Sequence, residues 1–475
     1  MSVGPPQSAT TFEGSPRAQA AVIGVAAVLG IALALTVLLA DNRIVVAVAV
    51  IPLALAIALR YPFAAVIMYI IAAATRPEEL RLAPIFLHLE RILAIACVVA
   101  LTLPQMARRS WQPWRWARAD WTVLALGLAA SLAVPFSVSR PQALWGLLEL
   151  GKRGFLYAII RYTATSIARI RAVVWAILVA TGFGCFMALK GMVEGQVYVG
   201  EHGVIRAMGA TSTTGDPNAL ANSIVAALPF AVLFIGAERR LPTKALYVLA
   251  AALLLYSVAL TGARGAVVSL LVGLVAMAVL SRRPFLAVGA AAVALSVMWM
   301  VTPPDLKARY ETLGTFQQEI TYQGRVHNLE VGLQMLRDRP LTGYGVTCFT
   351  TARFERYDHQ WSNAHNLIAQ VGGETGVLGL AAFTFFVITG LLSAWRARRA
   401  YGALGPGPER AYLWLRCLST AALLTFVVLL VQGFGSHSLL RWNWYACAAL
   451  AANALMLARD ASPADDKTDA VGPAA

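Results

Sequence analysis

Apolar runs of about 15 to 22 residues recur between residues 19 and 458, and that length suits a helix rising 1.5 Å per residue across a hydrocarbon layer. Most of these runs lack the polar face that a helix on a water-soluble core presents. The pattern predicts spans at 19–40, 44–59, 62–75, 85–103, 121–137, 143–161, 171–190, 219–237, 244–261, 265–280, 285–302, 367–395, 411–432 and 440–458. The second and third are short, and the sixth carries Glu149, Lys152 and Arg153. The expected fold is therefore an all-α polytopic membrane protein with about 12, and up to 14, transmembrane helices.

Two longer polar segments interrupt the pattern, residues 191–218 and 303–366. The expected organisation is a disordered N-terminus at 1–18 and a helical membrane domain at 19–302 with 191–218 as its outer segment. A periplasmic loop domain at 303–366, C-terminal membrane helices at 367–458 and a polar tail at 459–475 complete it. Within the loop, Val326, Leu329, Leu333 and Leu336 fall near helical spacing.

Composition sharpens this picture. The chain is 59% hydrophobic with mean hydropathy +0.66, and only 13% of its residues are charged. A formal net charge of +15 would suit a nucleic-acid binder, but the charges sit in short loops such as Arg108–Arg109, Arg282–Arg283 and Arg396–Arg399. That is the positive-inside distribution of a membrane protein, with both termini inside and no nucleic-acid partner. Five cysteines, four of them in apolar runs, form neither a disulfide framework nor a CxxC metal site. Walker A, HExxH and GxSxG motifs are absent, as is an Asp-x-Asp pair for holding Mg²⁺ on a diphosphate, so neither a metal nor a cofactor is expected.

Three motifs open helices that run in the same direction. In the first, Arg206 to Ala221 (RAMGATSTTGDPNALA), Asp216 suits an N-cap and Pro217 the first helical position. In the second, Thr261 to Gly265, a tight turn puts Arg264 at a helix start, and in the third Asn363, Ala364, His365 and Asn366 precede an apolar helix. Helix N-termini attract anions, and arginine matches the multi-oxygen geometry of phosphate. Arg206 and Arg264, with Arg325 from the loop, are thus candidates for an anion site at headgroup depth. A boundary arginine also snorkels to lipid headgroups, which is the plainer reading of Arg206. His365 is the strongest single candidate, because a helix N-terminus disfavours imidazolium and leaves a neutral base. Glu374 is a buried-carboxylate candidate among Gly372, Gly376 and Gly379, whose spacing reads as close helix packing. Gln432, His437, Arg441 and Trp442 mark a further outer turn, while His327 and His359 read as surface residues.

At these residues the sequence resembles the O-antigen ligase/polymerase superfamily of bacterial membrane glycosyltransferases. The matching pieces are Arg206 through Asn218, Thr261 through Gly265, Gly324 with Arg325, Gly343 to Gly345 with Phe349, Ala364 to Asn366, and Glu374 to Gly379. The resemblance implies a GT-C-like helical fold in the bacterial inner membrane. It implies a donor glycan on undecaprenyl diphosphate, taken from the periplasmic face, and a lipid A–core acceptor in the ligase branch. It implies His365 as general base, Arg206, Arg264 and Arg325 on the diphosphate, and Asn218, Asn366 and Glu374 in support. A ligase is favoured because one external loop dominates a compact chain. A polymerase or a protein O-oligosaccharyltransferase using the same donor is the alternative. A lipid-linked glycan transporter is the reading from another class, and it would predict related halves and polar residues at mid-membrane depth.

Overall fold

The computed structural model describes residues 57, 61–80, 89–107, 109, 112–200, 203–212, 214–311, 320–403 and 410–461. The expected segments 1–18 and 19–40, nearly all of 44–59 and nearly all of the tail lie outside the described residues.

The chain forms helices α1 (Pro62–Thr75), α2 (Leu89–Ala107), α3 (Arg118–Ala133), α4 (Arg140–Thr163) and α5 (Ile167–Glu194), then a short antiparallel ribbon of β1 (Tyr198–Val199) and β2 (Ile205–Arg206). Helices α6 (Pro217–Ala237), α7 (Leu241–Thr261), α8 (Arg264–Leu280) and α9 (Pro284–Val301) follow. The large loop contributes α10 (Pro304–Glu311), α11 (Ile320–Asp338) and α12 (Phe349–Arg356), and the chain ends in α13 (Leu367–Ala403), α14 (Arg410–Gly433) and α15 (Trp442–Ala461). The expected helix within the loop is α11, and the structure adds two shorter ones.

Seven helices among the described residues are long and apolar enough to cross a membrane: α3 with the turn after it, α5, α6, α7, α9, α13 and α14. Part of the expected 12 to 14 spans falls outside the described residues, and the rest are shorter or more polar. Helix α8 has only 17 residues, and α4 carries Glu149 paired to Lys152 at 2.6 Å and to Arg153 at 3.3 Å. Helix α9 shows why the solvent must be apolar: Phe285 is 90% and Met300 77% exposed, on a helix that is hydrophobic all round. Such a surface is stable only against lipid, and this is a multi-pass all-α membrane protein.

The chain divides into two compact units, with the boundary inside α5. In the first, α1 is buried from Ala64 to Thr75 and packs on α2. The second holds everything from α3 onward except the first half of α5. Its centre is α13, which packs against α3, α11, α14 and α15.

Helix α13 is broken at Gly376 (φ 66°, ψ −167°). The break frees backbone groups that the loop segment 340–345 takes up. Val377 N donates to Pro340 O at 2.6 Å, while Tyr344 N reaches Gly373 O at 2.9 Å and Gly345 N reaches Glu374 O at 2.8 Å. The glycine pattern thus serves close packing, as its spacing suggested. A Cβ on Gly376 would stand 2.5 Å from Pro340 O, in a φ/ψ region that is essentially glycine-only. Gly376→Ala is expected to destabilise the protein by roughly 2 kcal/mol or more, read as a lower midpoint of thermal unfolding in detergent. An unchanged midpoint would show that the break carries no strain.

Candidate functional site

The site is built at the ends of helices, from backbone groups that each helix leaves unpaired. Helix α6 starts as its sequence demands. Asp216 caps it, its carboxylate accepting from Asn218 N at 2.8 Å and Ala219 N at 3.0 Å, with Pro217 as first helical residue. Helix α7 ends in Gly262, whose φ of 59° is the left-handed conformation common just past a helix C-terminus. Arg264 opens α8 two residues later and is half-buried.

Arg206 joins these two helix ends. It is 4% exposed, and its Nε donates to Thr261 O at 2.6 Å while its Nη2 donates to Asn218 Oδ1 at 3.0 Å. Its guanidinium also lies 5.4 Å from the Tyr198 ring centroid. Arg309, from loop helix α10, donates to the next carbonyl, Gly262 O, at 3.0 Å. Two arginines therefore rest on consecutive carbonyls of one turn, with Arg264 just beyond. Burial first, and then the Arg309 charge, push the Arg206 pKa down to about 10, against the opposite pull of Asp216. Crowding of like charges in a desolvated corner is what an anion would relieve.

His365 stands at the start of α13 with φ 46°, an uncommon backbone conformation that histidine tolerates better than most residues. The next residue, Asn366, is 5% exposed and acts as N-cap, its Oδ1 accepting from Ile368 N at 2.9 Å and Ala369 N at 3.1 Å. The structure therefore gives Asn366 a concrete supporting task, which is to fix the helix start and so aim His365. The His437 ring packs edge-on against that of His365, with centroids 5.4 Å apart. His365 is half-buried, and His437 keeps solvent access on the neighbouring turn. Burial and then the Arg325 charge hold His365 below the ordinary histidine range. Burial, His365 and Arg441 push His437 down to about 4.

The turn carrying His437 and Arg441 is pinned from three sides. Leu439 N donates to Gln370 Oε1 at 3.1 Å, Tyr445 Oη donates to Leu439 O at 3.1 Å, and Arg153 Nε donates to Leu440 O at 3.0 Å. Arg441 Nη1 reaches Ala219 O in the first turn of α6 at 3.4 Å. Arg325 Nη1 lies 3.5 Å from where a side chain on Gly435 would begin. Asp216 acts electrostatically on Arg206, His365, His437 and Arg441 alike, so it is the common anionic neighbour of the whole cluster.

The three helix starts singled out in the sequence thus meet at one end of the bundle. Glu374 does not join them. It is 2% exposed and faces the backbone amides of Thr347 and Phe349 and the Gln370 side chain, which ties it to loop packing. Arg309 was not among the candidates read from the sequence. Leu306 and Tyr310, both buried and four apart, mark α10 as amphipathic, but they do not reveal which turn it covers. The Asp216 charge was likewise overlooked behind its capping role.

A histidine and several arginines thus gather at one end of the helical bundle of a multi-pass membrane protein. Residues 249–384 match the family model described as O-antigen ligase, and the match supports membership of the O-antigen ligase/polymerase family. The match covers Arg264, Arg309, Arg325, His365 and Glu374, but not Arg206, His437 or Arg441. No curated protein matches the chain.

Two measurements check this geometry. Histidine ¹⁵N shifts in micelles are expected to show His365 titrating below pH 6.5, neutral at pH 7, and moving up toward 6.5 in Arg325→Gln as the neighbouring positive charge is removed. A value unchanged by that substitution would separate the two groups. Asn366→Ala is expected to cost about 1 kcal/mol of stability, and Asn366→Asp, which can still cap, to recover most of it.

Proposed function

We propose that this protein is an O-antigen ligase, transferring a glycan from undecaprenyl diphosphate to a sugar hydroxyl of a lipid A–core acceptor at the periplasmic face of the inner membrane. The observation that carries the reading is the meeting of helix ends at one place. Arg206 ties Asn218 in the first turn of α6 to the Thr261 carbonyl, and Arg441, from the turn whose His437 packs on His365, reaches Ala219 O in that same first turn.

In this reading Arg206, Arg264 and Arg325, joined by Arg309, hold the donor diphosphate. A glycosyl diphosphate is already activated, so the enzyme must orient the acceptor oxygen, take its proton and stabilise charge on the leaving oxygen. His365 accepts the proton as the acceptor oxygen bonds to the anomeric carbon. The bond from that carbon to the phosphate oxygen breaks, and undecaprenyl diphosphate leaves with its negative charge facing the arginines. Direct displacement inverts the anomeric centre. The depressed histidine pKa suits this role, because the neutral form predominates at pH 7. The arginines carry the charge stabilisation, with no metal ion required.

The test is glycan transfer by purified protein given undecaprenyl-diphosphate glycan and rough lipopolysaccharide, with EDTA present. Wild type is expected to form product, and His365→Ala to lose roughly 10²- to 10⁴-fold in kcat. Arg206→Gln is expected to weaken donor use, with Arg309→Gln acting in the same direction. Equal rates for wild type and His365→Ala would remove the base from this mechanism. Chain lengthening with lipid-linked glycan as the only saccharide would assign the protein to the polymerase branch.

A further inference from the structure

The segment joining α12 to His365 carries aromatic rings outward on a rigid support. Its foundation is Arg353, which is fully buried at 0% exposure. The guanidinium grips Asp358 through Nε at 2.8 and 3.0 Å and through Nη2 at 2.6 Å, reaches Gln360 Oε1 at 2.9 Å, and bonds Asn328 of α11 through Nη1. His327 Nε2, also on α11, meets Asp358 at 2.8 Å. Two further features stiffen the segment. His359 has φ 56°, and its Nδ1 meets the Phe354 carbonyl at 2.7 Å. Bidentate arginine–carboxylate contacts of this kind fix geometry as well as charge.

The parts held in place are exposed. Trp361 is 70% and Phe354 44% exposed, with centroids 5.5 Å apart and planes at 74°. His359 is also edge-on to Phe354, at 6.2 Å and 82°. An exposed indole forgoes the burial that normally makes tryptophan a core residue, and a patch held open this way marks a contact surface. Carbohydrate fits its chemistry. The C–H bonds on one face of a pyranose are polarised against the negative face of an aromatic ring, while its hydroxyls need polar neighbours. Exposed Gln360 and Asn363 supply these, and Thr350 Oγ1 holds Asn363 at 3.1 Å. Insertion into lipid fits less well, because exposed Glu355 and Arg356 flank Phe354 and would enter the hydrocarbon with it.

We propose that Phe354 and Trp361 form a stacking platform for a pyranose ring of the acceptor glycan. The acceptor is the appropriate substrate because the segment leads directly into His365, which takes the acceptor's proton, whereas the donor diphosphate is assigned to the arginines at the α7–α8 turn. The proposal rests on the glycosyl-transfer reading for its choice of substrate, but saccharide binding can be measured without turnover.

The experiment is saturation-transfer NMR on the full-length protein in micelles, with deacylated rough lipopolysaccharide as probe. Wild type and Trp361→Tyr are expected to give a saccharide signal, and Trp361→Ala to lose it. In the transfer assay Trp361→Ala is expected to raise the acceptor KM roughly tenfold and leave kcat and the donor KM unchanged. Equal saccharide signals from wild type and Trp361→Ala would overturn the platform. So would a component of brominated-lipid quenching that wild type shows and Trp361→Phe loses, over the background of the other tryptophans, because it would place the ring in the membrane. If no glycan is transferred but the Trp361-dependent signal persists, the transfer reading fails and the platform stands.

Discussion

A guanidinium held away from water must find its acceptors on protein, and the way Arg206 does so organises the site. Its donors are met by the Thr261 carbonyl, at the end of one helix, and by Asn218, in the first turn of another. Neither partner alone satisfies the fork, so both helix ends must be present together. Arg309 repeats the arrangement one carbonyl further on and brings the large loop with it. In an apolar solvent there is little hydrophobic force between helices, and polar contacts of this kind together with close packing decide which helix ends meet. On the proposed reading, the cluster of arginines that results in one desolvated corner is what would draw a diphosphate to it.

The histidine side of the crevice depends on backbone geometry. Asn366 fixes the start of α13, His365 takes a left-handed conformation beside it, and the break at Gly376 lets the loop pair with the helix two turns further on. Loop and helix are thereby one construction. Burial and then the Arg325 charge hold His365 below the ordinary histidine range, against the opposite pull of Asp216. On the proposed reading, a base and an anion site that are built separately and brought together by the helix ends suit the displacement of a phosphate-linked group.

The large loop is stiffer than its polar composition suggests. Arg353 is wholly buried within it and joins Asp358 and Gln360, in the segment that leads to His365, to Asn328 on α11. Nothing in the spacing of Arg353, Asp358 and Gln360 marks them as a network, because each is a common surface residue type. The same holds for Arg309. These residues acquire their roles only when α10, α11 and α12 fold against the membrane helices.

The sequence by itself determined the membrane class, the helix starts at Asp216, Arg264 and Asn366, and the glycine-mediated packing, and it placed His365 and Arg206 next to helix starts. These features follow from local rules: apolar run length, capping chemistry and the dipole of a helix end, all of which act within a few residues. Tertiary structure decided that the three starts adjoin and that Arg309, His437 and Arg441 come to them. It also turned Glu374 toward loop backbone. Those outcomes depend on contacts between residues 50 to more than 200 positions apart, such as Arg206 with Thr261 and Arg441 with Ala219. Such contacts arise from the competition of whole helix faces for partners, which no local pattern in the chain encodes.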